Sequence, residues 1–204
     1  MPETVIGSRF KFQKGIQKMK YILASKSPRR KELLGEIIES FEIITKDIDE
    51  TLPFEAHPNT EVKYLAIYKG AAVAKDYPNA VVVSSDTLVE IDGEALGKPR
   101  DKSEAYKMLR RLSGRAHNVH TGVAVHYHGL YYSGVATTAV YFREITDAEI
   151  EEYVESGDPM DKAGSYGIQS GGGKFVEKIE GDYDTVVGLS VALTKRLIDE
   201  ALND

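Results

Sequence analysis

The segment Ser25-Lys26-Ser27-Pro28-Arg29-Arg30 gathers two hydroxyls and two guanidiniums into one short turn. An apolar run, Tyr21 to Ser25, leads into it, and Leu33, Leu34, Ile37 and Ile38 follow at helical spacing. Ser27 suits an N-cap, and Pro28 then falls at the first helical position, where its missing N–H costs nothing. The start of such a helix offers unpaired backbone N–H groups and the positive end of the helix dipole. Ser25 and Ser27 can donate to phosphate oxygens, and Arg29 and Arg30 can grip an anion through paired N–H groups. Cations in a first helical turn oppose the dipole, so two adjacent arginines there favour an anion site. A capped helix with a solvated basic first turn is the plainer alternative.

Acidic and further basic candidates lie downstream. Asp86 directly follows the hydrophobic run Ala80 to Ser85, where open α/β sheets place their ligands. An acid there suits metal binding or water activation, and equally an Asp that starts a turn. Glu50 closes the run Asp47-Ile48-Asp49-Glu50. It could join Asp86 as a hard oxygen ligand for Mg2+ or Mn2+, although by itself the run reads as a solvated acidic loop. Lys69, on a stretch of helical periodicity, and Lys98, just before Pro99, read by themselves as surface lysines. Gln169, in a glycine-rich stretch, could meet a base edge through its amide or belong to a flexible loop.

Several chemistries are excluded. The glycine-rich stretch is not a P-loop, because Ile168 stands where the first glycine is required and Phe175 where Ser or Thr is required. No Gly-x-Ser-x-Gly elbow supports a serine hydrolase. The histidines do not form a ligand set, and His126 and His128, flanking a turn, read as exposed. With no cysteine, there is no disulfide framework, thiol nucleophile or Cys-based metal site.

The elements that must position these groups alternate. A strand at Tyr21–Ser25 and a helix from Pro28 precede a strand at Phe41–Thr45 and a helix over Thr60–Lys75. The β-branched run Ala80–Ser85 suits a strand buried on both faces. Leu88 to Leu96 reads as a hairpin turning at Asp92-Gly93. A helix over Asp101–Leu112, capped by Asp101, precedes paired strands at His117–His128 and Leu130–Phe142. Thr146 and Glu149 form a capping box, and a last helix runs from Val191 to about Ala201. This mixture indicates an α/β or α+β fold. The segment from Tyr106 to Phe142 could close a second lobe.

The chain has 204 residues, ordinary hydrophobic (42%) and charged (28%) content, and a formal net charge of −6. That sign disfavours binding of long nucleic acids but leaves room for a local basic cleft. No apolar run approaches the roughly 20 residues of a membrane span. Residues 1–19 carry Arg9, Lys11, Lys14 and Lys18 and read as a disordered basic extension, leaving residues 20–204 as a single domain.

In order along the chain, LASKSPRRKELL (23–34), DIDE (47–50), Leu65-Ala66 with Lys69, SSDT (84–87) and GKPRD (97–101) resemble the Maf family of nucleoside triphosphate pyrophosphatases. MLRRLSGRAHNVHTGVAV (108–125), DKAGSYGIQ (161–169) and IEGDYDTVVGLS (179–190) continue the resemblance to the C-terminus. It implies an α/β fold of the inosine-triphosphatase (Maf/Ham1) type, a mixed sheet in two lobes around a central cleft. It implies hydrolysis of a nucleoside triphosphate to monophosphate and pyrophosphate with a divalent cation, Mg2+ or Mn2+. By matching positions, Asp86 is the proton acceptor or metal-linked base and Glu50 joins it at the metal. Ser25, Arg29, Lys69 and Lys98 contact the triphosphate, while Arg29, Thr87 and Gln169 set base preference. Asp86-Thr87 resembles the dTTP/UTP branch. The sequence departs from the family at Ser84-Ser85, usually Gly-Ala or Gly-Ser, and at Ser190, usually proline. The expected setting is cytoplasmic, with a nucleotide as partner, no nucleic acid or membrane, and a homodimer left open. A non-enzymatic regulator of division that binds a nucleotide or a partner is the competing reading.

Overall fold

The computed structural model describes residues 19–204, so the extension expected at the N-terminus lies almost wholly outside the described residues. Met19 packs against the core. The chain order is β1 (Tyr21–Leu23), α1 (Pro28–Gly35), β2 (Glu42–Ile43), α2 (Pro58–Ala74), β3 (Val81–Ile91) and β4 (Glu94–Leu96). Then come α3 (Lys102–Leu112), β5 (Ala116–Tyr127), β6 (Leu130–Phe142) and α4 (Asp147–Glu155). Three 3-10 turns (Asp158–Asp161, Ala163–Ser165, Gly171–Phe175) lead to β7 (Val176–Glu180), α5 (Tyr183–Val187) and α6 (Val191–Asn203). The strands form one mixed sheet in the order β2-β1-β3-β5-β6-β7, with β4 beside β3. β1 runs parallel to β2 and β3, and the remaining pairs are antiparallel.

Local chemistry fixes most boundaries. The hydroxyl of Ser27 accepts from Arg30 N at the start of α1, with Pro28 in its first turn. Asp101 caps α3 by accepting from Glu104 N at 2.8 Å, and Thr146 with Glu149 makes the full reciprocal box at α4. The two hairpins turn at Asp92-Gly93 and His128-Gly129, all four residues at positive φ, as right-handed strand twist requires of two-residue turns. The strand expected over Phe41–Thr45 shrinks to Glu42–Ile43, both exposed: it lies at the sheet edge and pairs with β1 alone.

β3 is longer than the hydrophobic run within it. Asp86 therefore lies inside a strand, not beyond its end, because antiparallel pairing with β5 carries β3 on to Ile91. Pairing on the other edge of β3 is interrupted. β1 stops opposite Val83 and β4 ends opposite Val89, so residues between them have β5 on one side and no strand on the other. The cores divide at the same place. On one face Val81 and Val83, with Val123 and Val125 of β5, pack under α1 and α6. Farther along, Val89 and Ile91, with Val119, pack with Leu109, Ile150, Tyr166 and Phe175. Between the two clusters stand Ser85 and Thr87, with Thr121 opposite Thr87. This polar break separates two lobes. The second lobe draws on the expected Tyr106–Phe142 segment and also on β4, α4 and the 3-10 turns.

Candidate active site

A cleft of about 580 Å3 opens at this gap. Its walls come from the chain leaving β1, the residues after β4, one face of α2, and the loop from Asp158 to Ser170. The topology explains the convergence: where β1 ends, its continuation Ser27-Pro28-Arg29-Arg30 turns into α1 beside the bare edge of β3. Where β4 ends, Gly97 and Lys98 form the opposite lip. Of the residues expected to carry function, Ser27, Arg29, Arg30, Glu50, Lys69, Asp86, Thr87, Lys98 and Gln169 line the cleft. Ser25 lies behind the turn, where its hydroxyl accepts from Ser27 N at 3.2 Å and stands 3.5 Å from Arg30 Nη1.

Lys69 is the hub of the acidic side. Its ammonium donates to Asp86 Oδ1 at 2.6 Å and to Glu50 Oε2 at 2.9 Å. Asp86 is buried, whereas the side chain of Glu50 is 57% exposed, so Lys69 links a buried carboxylate to an exposed one at the rim. α2 sets Glu61, Leu65 and Lys69 at four-residue intervals, on one face toward the cleft. Burial pushes the Glu61 carboxyl above its usual range, and the nearby charge of Asp86 adds to that.

Arg30 faces the same space from α1. Its Nε donates to Gly188 O at 2.9 Å and its Nη2 to Thr87 Oγ1 at 3.2 Å. Burial lowers its pKa, and the charge of Asp86 opposes that shift. Thr121 Oγ1 donates to Thr185 O at 2.7 Å, so in the 3.0 Å contact between the two hydroxyls Thr87 is the donor. A relay thus runs from Arg30 through Thr87 and Thr121 to the Thr185 carbonyl. The Thr87 proton is committed inward, which leaves its oxygen as an acceptor toward the cleft. Arg29 forms a 3.4 Å ion pair with Asp161 across the cleft, while Lys98 and Gln169 make no hydrogen bond to described residues and stay available.

Asp158, Asp161 and Lys162 escaped the reading of individual residues. Lys162 Nζ meets Asp158 Oδ1 at 3.1 Å and Asp161 Oδ1 at 2.7 Å. Burial would raise Asp158, but hydrogen bonds from Ser170, Tyr153 and Lys162 outweigh it and hold the carboxyl below its usual range. Asp158 also receives the Ser170 hydroxyl at 2.6 Å, which ties down the loop carrying Gln169. Asp161 and Lys162 open the DKAGSYGIQ stretch and Asp158 stands four residues before Lys162, so the signal was present in the local spacing. Glu61 was within reach of periodicity, one helical turn before Leu65.

The arrangement places arginines, lysines and a helix start around one cavity, opposite two carboxylates that share a single cation. That suits a polyanion whose charge is neutralised while a carboxylate handles a proton. The family model for Maf-like proteins matches residues 20–201. The chain is 48% identical over 179 residues to a dTTP/UTP pyrophosphatase of Bacillus velezensis, covering 88% of this chain and 95% of that protein. It is 42% identical over 178 residues to a dTTP/UTP pyrophosphatase of Latilactobacillus sakei, covering 87% and 98%. Among solved structures, a HAM1 protein from Coxiella burnetii aligns at 15% identity over 91% of this chain and 98% of that one, with a TM-score of 0.49.

Proposed function

The chain belongs to the Maf family, and from that membership we propose that it is a nucleoside triphosphate pyrophosphatase that hydrolyses dTTP and UTP to the monophosphate and pyrophosphate. The observation that carries the reading is the convergence of Arg29, Arg30, Lys69 and Lys98 on one cleft with Asp86 at its floor. Relatives that cover almost their whole length carry the same activity in name.

The chemistry follows from the geometry. The triphosphate enters along the start of α1, where backbone N–H groups, Ser27 and Arg29 meet its oxygens, and Lys98 closes on it from the opposite lip. Arg30 is held by Gly188 and Thr87, so it presents charge from a fixed direction and costs little reorganisation. Lys69 engages one oxygen of Asp86, which leaves proton acceptance from the attacking water to the other. Water then attacks the α-phosphorus and pyrophosphate departs. The Thr87 acceptor and the Gln169 amide are placed to read a base edge.

A divalent cation fits this donor set. Glu50 and Asp86 already converge on one cation, the Lys69 ammonium. Mg2+ commonly takes one or two protein carboxylates and fills its remaining positions from phosphates and water. Among the described residues no group of three or more His, Asp or Glu side chains gathers as a metal cage. When bound, the ion would supply charge neutralisation on the phosphates. The reading places the protein in the cytoplasm with its nucleotide substrates; no helix among the described residues is long and apolar enough to cross a membrane.

The deciding experiment is pyrophosphate release across nucleoside triphosphates, with dTTP and UTP hydrolysed fastest. Asp86→Asn should lower kcat about a hundredfold or more with the circular dichroism spectrum unchanged. Nucleotide binding without turnover by the parent protein would overturn the reading, and an Asp86→Asn protein of parental rate would remove Asp86 from its role.

A further inference from the structure

We propose that Gly70 and Gly122 are positioning residues for the reaction. By carrying no side chain they set the depth at which α2 lies on the sheet, and through that depth the reach of Lys69 to Asp86. The inference rests on the functional reading given above.

Gly122 is the β5 partner of Asp86 in the sheet register, so whatever covers it lies beside the catalytic carboxylate. What covers it is the backbone of α2. A Cβ on Gly122 would stand 2.5 Å from the Val62 carbonyl carbon and 2.8 Å from Lys63 N, closer than a Cβ approaches any heavy atom in folded proteins. The second contact is at Gly70, the residue after Lys69. A Cβ there would stand 2.5 Å from Ser84 Oγ and 2.6 Å from His126 Nε2. Ser84, Asp86 and Gly122 share one sheet face, with His126 opposite Val82 on that same face. Ser84 Oγ also donates to Ala66 O at 2.7 Å, a direct tie from strand to helix backbone.

The helix is therefore pinned at both ends of the Val62–Gly70 segment, and Lys69 projects from the pinned part. The obstacles are backbone atoms, a short hydroxyl and a buried ring, none of which swings aside as a long side chain would. Restoring ordinary contact around a methyl group at Gly70 needs a local opening of about 1 Å. Lys69 holds two carboxylates at 2.6 and 2.9 Å, contacts that weaken steeply over such a distance. Glycine in a helix interior also sacrifices helix stability, a sacrifice without purpose unless close approach is needed.

The test compares pyrophosphate release from dTTP by the parent, Gly70→Ala, Lys69→Ala, the Gly70→Ala/Lys69→Ala pair, and Gly70→Ala combined with Ser84→Gly and His126→Ala to reopen space. Gly70→Ala should lose about tenfold to a hundredfold in kcat/KM. In the Lys69→Ala background it should cost nothing further, because the group it displaces is already gone. The reopened variant should regain a rate within roughly threefold of the parent while melting at a lower temperature, a divergence that a merely structural glycine would not produce. A folded Gly70→Ala protein of parental rate, an additive loss in the Lys69→Ala background, or a reopened variant as slow as the single one would each overturn the proposal. If Gly70→Ala does not fold, the reopened variant decides alone; if neither folds, the glycine serves folding only and the proposal falls. A parent protein that releases no pyrophosphate would instead sink the functional reading.

Discussion

Arg29 and Asp161, 132 residues apart, meet across the mouth of the cleft, Nη1 to Oδ2 at 3.4 Å, and so join one lobe to the other before any substrate is bound. On the proposed reading, Asp161 is thus a rival to the phosphates that Arg29 would receive. The pair is largely exposed, with the Asp161 side chain 66% accessible, so its worth is at most about 1 kcal/mol. Asp161→Asn should release Arg29 and lower KM for dTTP roughly two- to fivefold at low ionic strength, with kcat unchanged. The difference should fade in high salt. A KM that stays the same or rises would show that the pair is not in competition with substrate.

Glu61 places a second unhelpful charge in the cleft. Burial, then the charge of Asp86, hold its carboxyl above the usual range, so the folded state takes up a proton there more readily than the unfolded chain does. For a carboxyl shifted upward the sign is a cost at neutral pH that is relieved as pH falls toward its ordinary range. Glu61→Gln should therefore leave the melting temperature at pH 7.5 equal or slightly higher and lower KM for the polyanionic substrate. A higher KM would give Glu61 a direct part in holding the nucleotide or its cation.

Much of this was legible in the sequence, for identifiable reasons. Ser27, Asp101 and Thr146 act on groups within one turn of themselves, so their caps are local facts and the helix starts follow. The motif order carried the cleft residues with it. Position along β3 was not legible, because the strand is continued by pairing with β5, a partner about thirty residues away in sequence. Distance likewise hid the Arg29–Asp161 contact, whereas Lys162 and Asp158 stand only four residues apart. His126 was misjudged for a related reason. It was expected at an exposed turn with His128, yet β5 reaches Tyr127 and buries His126 under Gly70 of α2, while His128 alone sits in the turn at positive φ.

That burial has a consequence in acid. Burial lowers both His117 and His126 to about 4, from an ordinary value near 6.5. The unfolded chain then binds protons at these rings between about pH 6.5 and 4 while the folded protein does not. Their contribution is complete above pH 6.5 and is lost as pH falls toward 4, with a slope of up to about 1.4 kcal/mol per pH unit for each ring. His117 Nδ1 and His126 Nε2 have no hydrogen-bond partner among the described residues, so neither has a group ready to receive an added proton. Urea midpoints measured from pH 7.5 to 4.5 should fall on acidification, and His126→Gln should flatten the profile by one proton. An unflattened profile would mean that the ring is protonated without unfolding.

Ser190 settles how the chain manages without the proline usual at that place. Its hydroxyl accepts from Leu193 N at 3.3 Å and caps α6, and its carbonyl accepts from Thr194 N and Thr194 Oγ1 at 2.9 and 2.7 Å. Ser190→Ala should cost about 1 kcal/mol of stability through the lost cap, with catalysis unaffected. Its φ of −68° is one that proline adopts without strain, and no described group accepts from its N–H. Ser190→Pro gives up the cap but stiffens the unfolded chain by about 0.4–1 kcal/mol, so the two effects should nearly cancel. The two variants together separate the explanations: equal losses would mean that the hydroxyl alone matters, whereas a proline variant close to the parent in denaturant midpoint would show serine and proline reaching the same helix start by different physical routes.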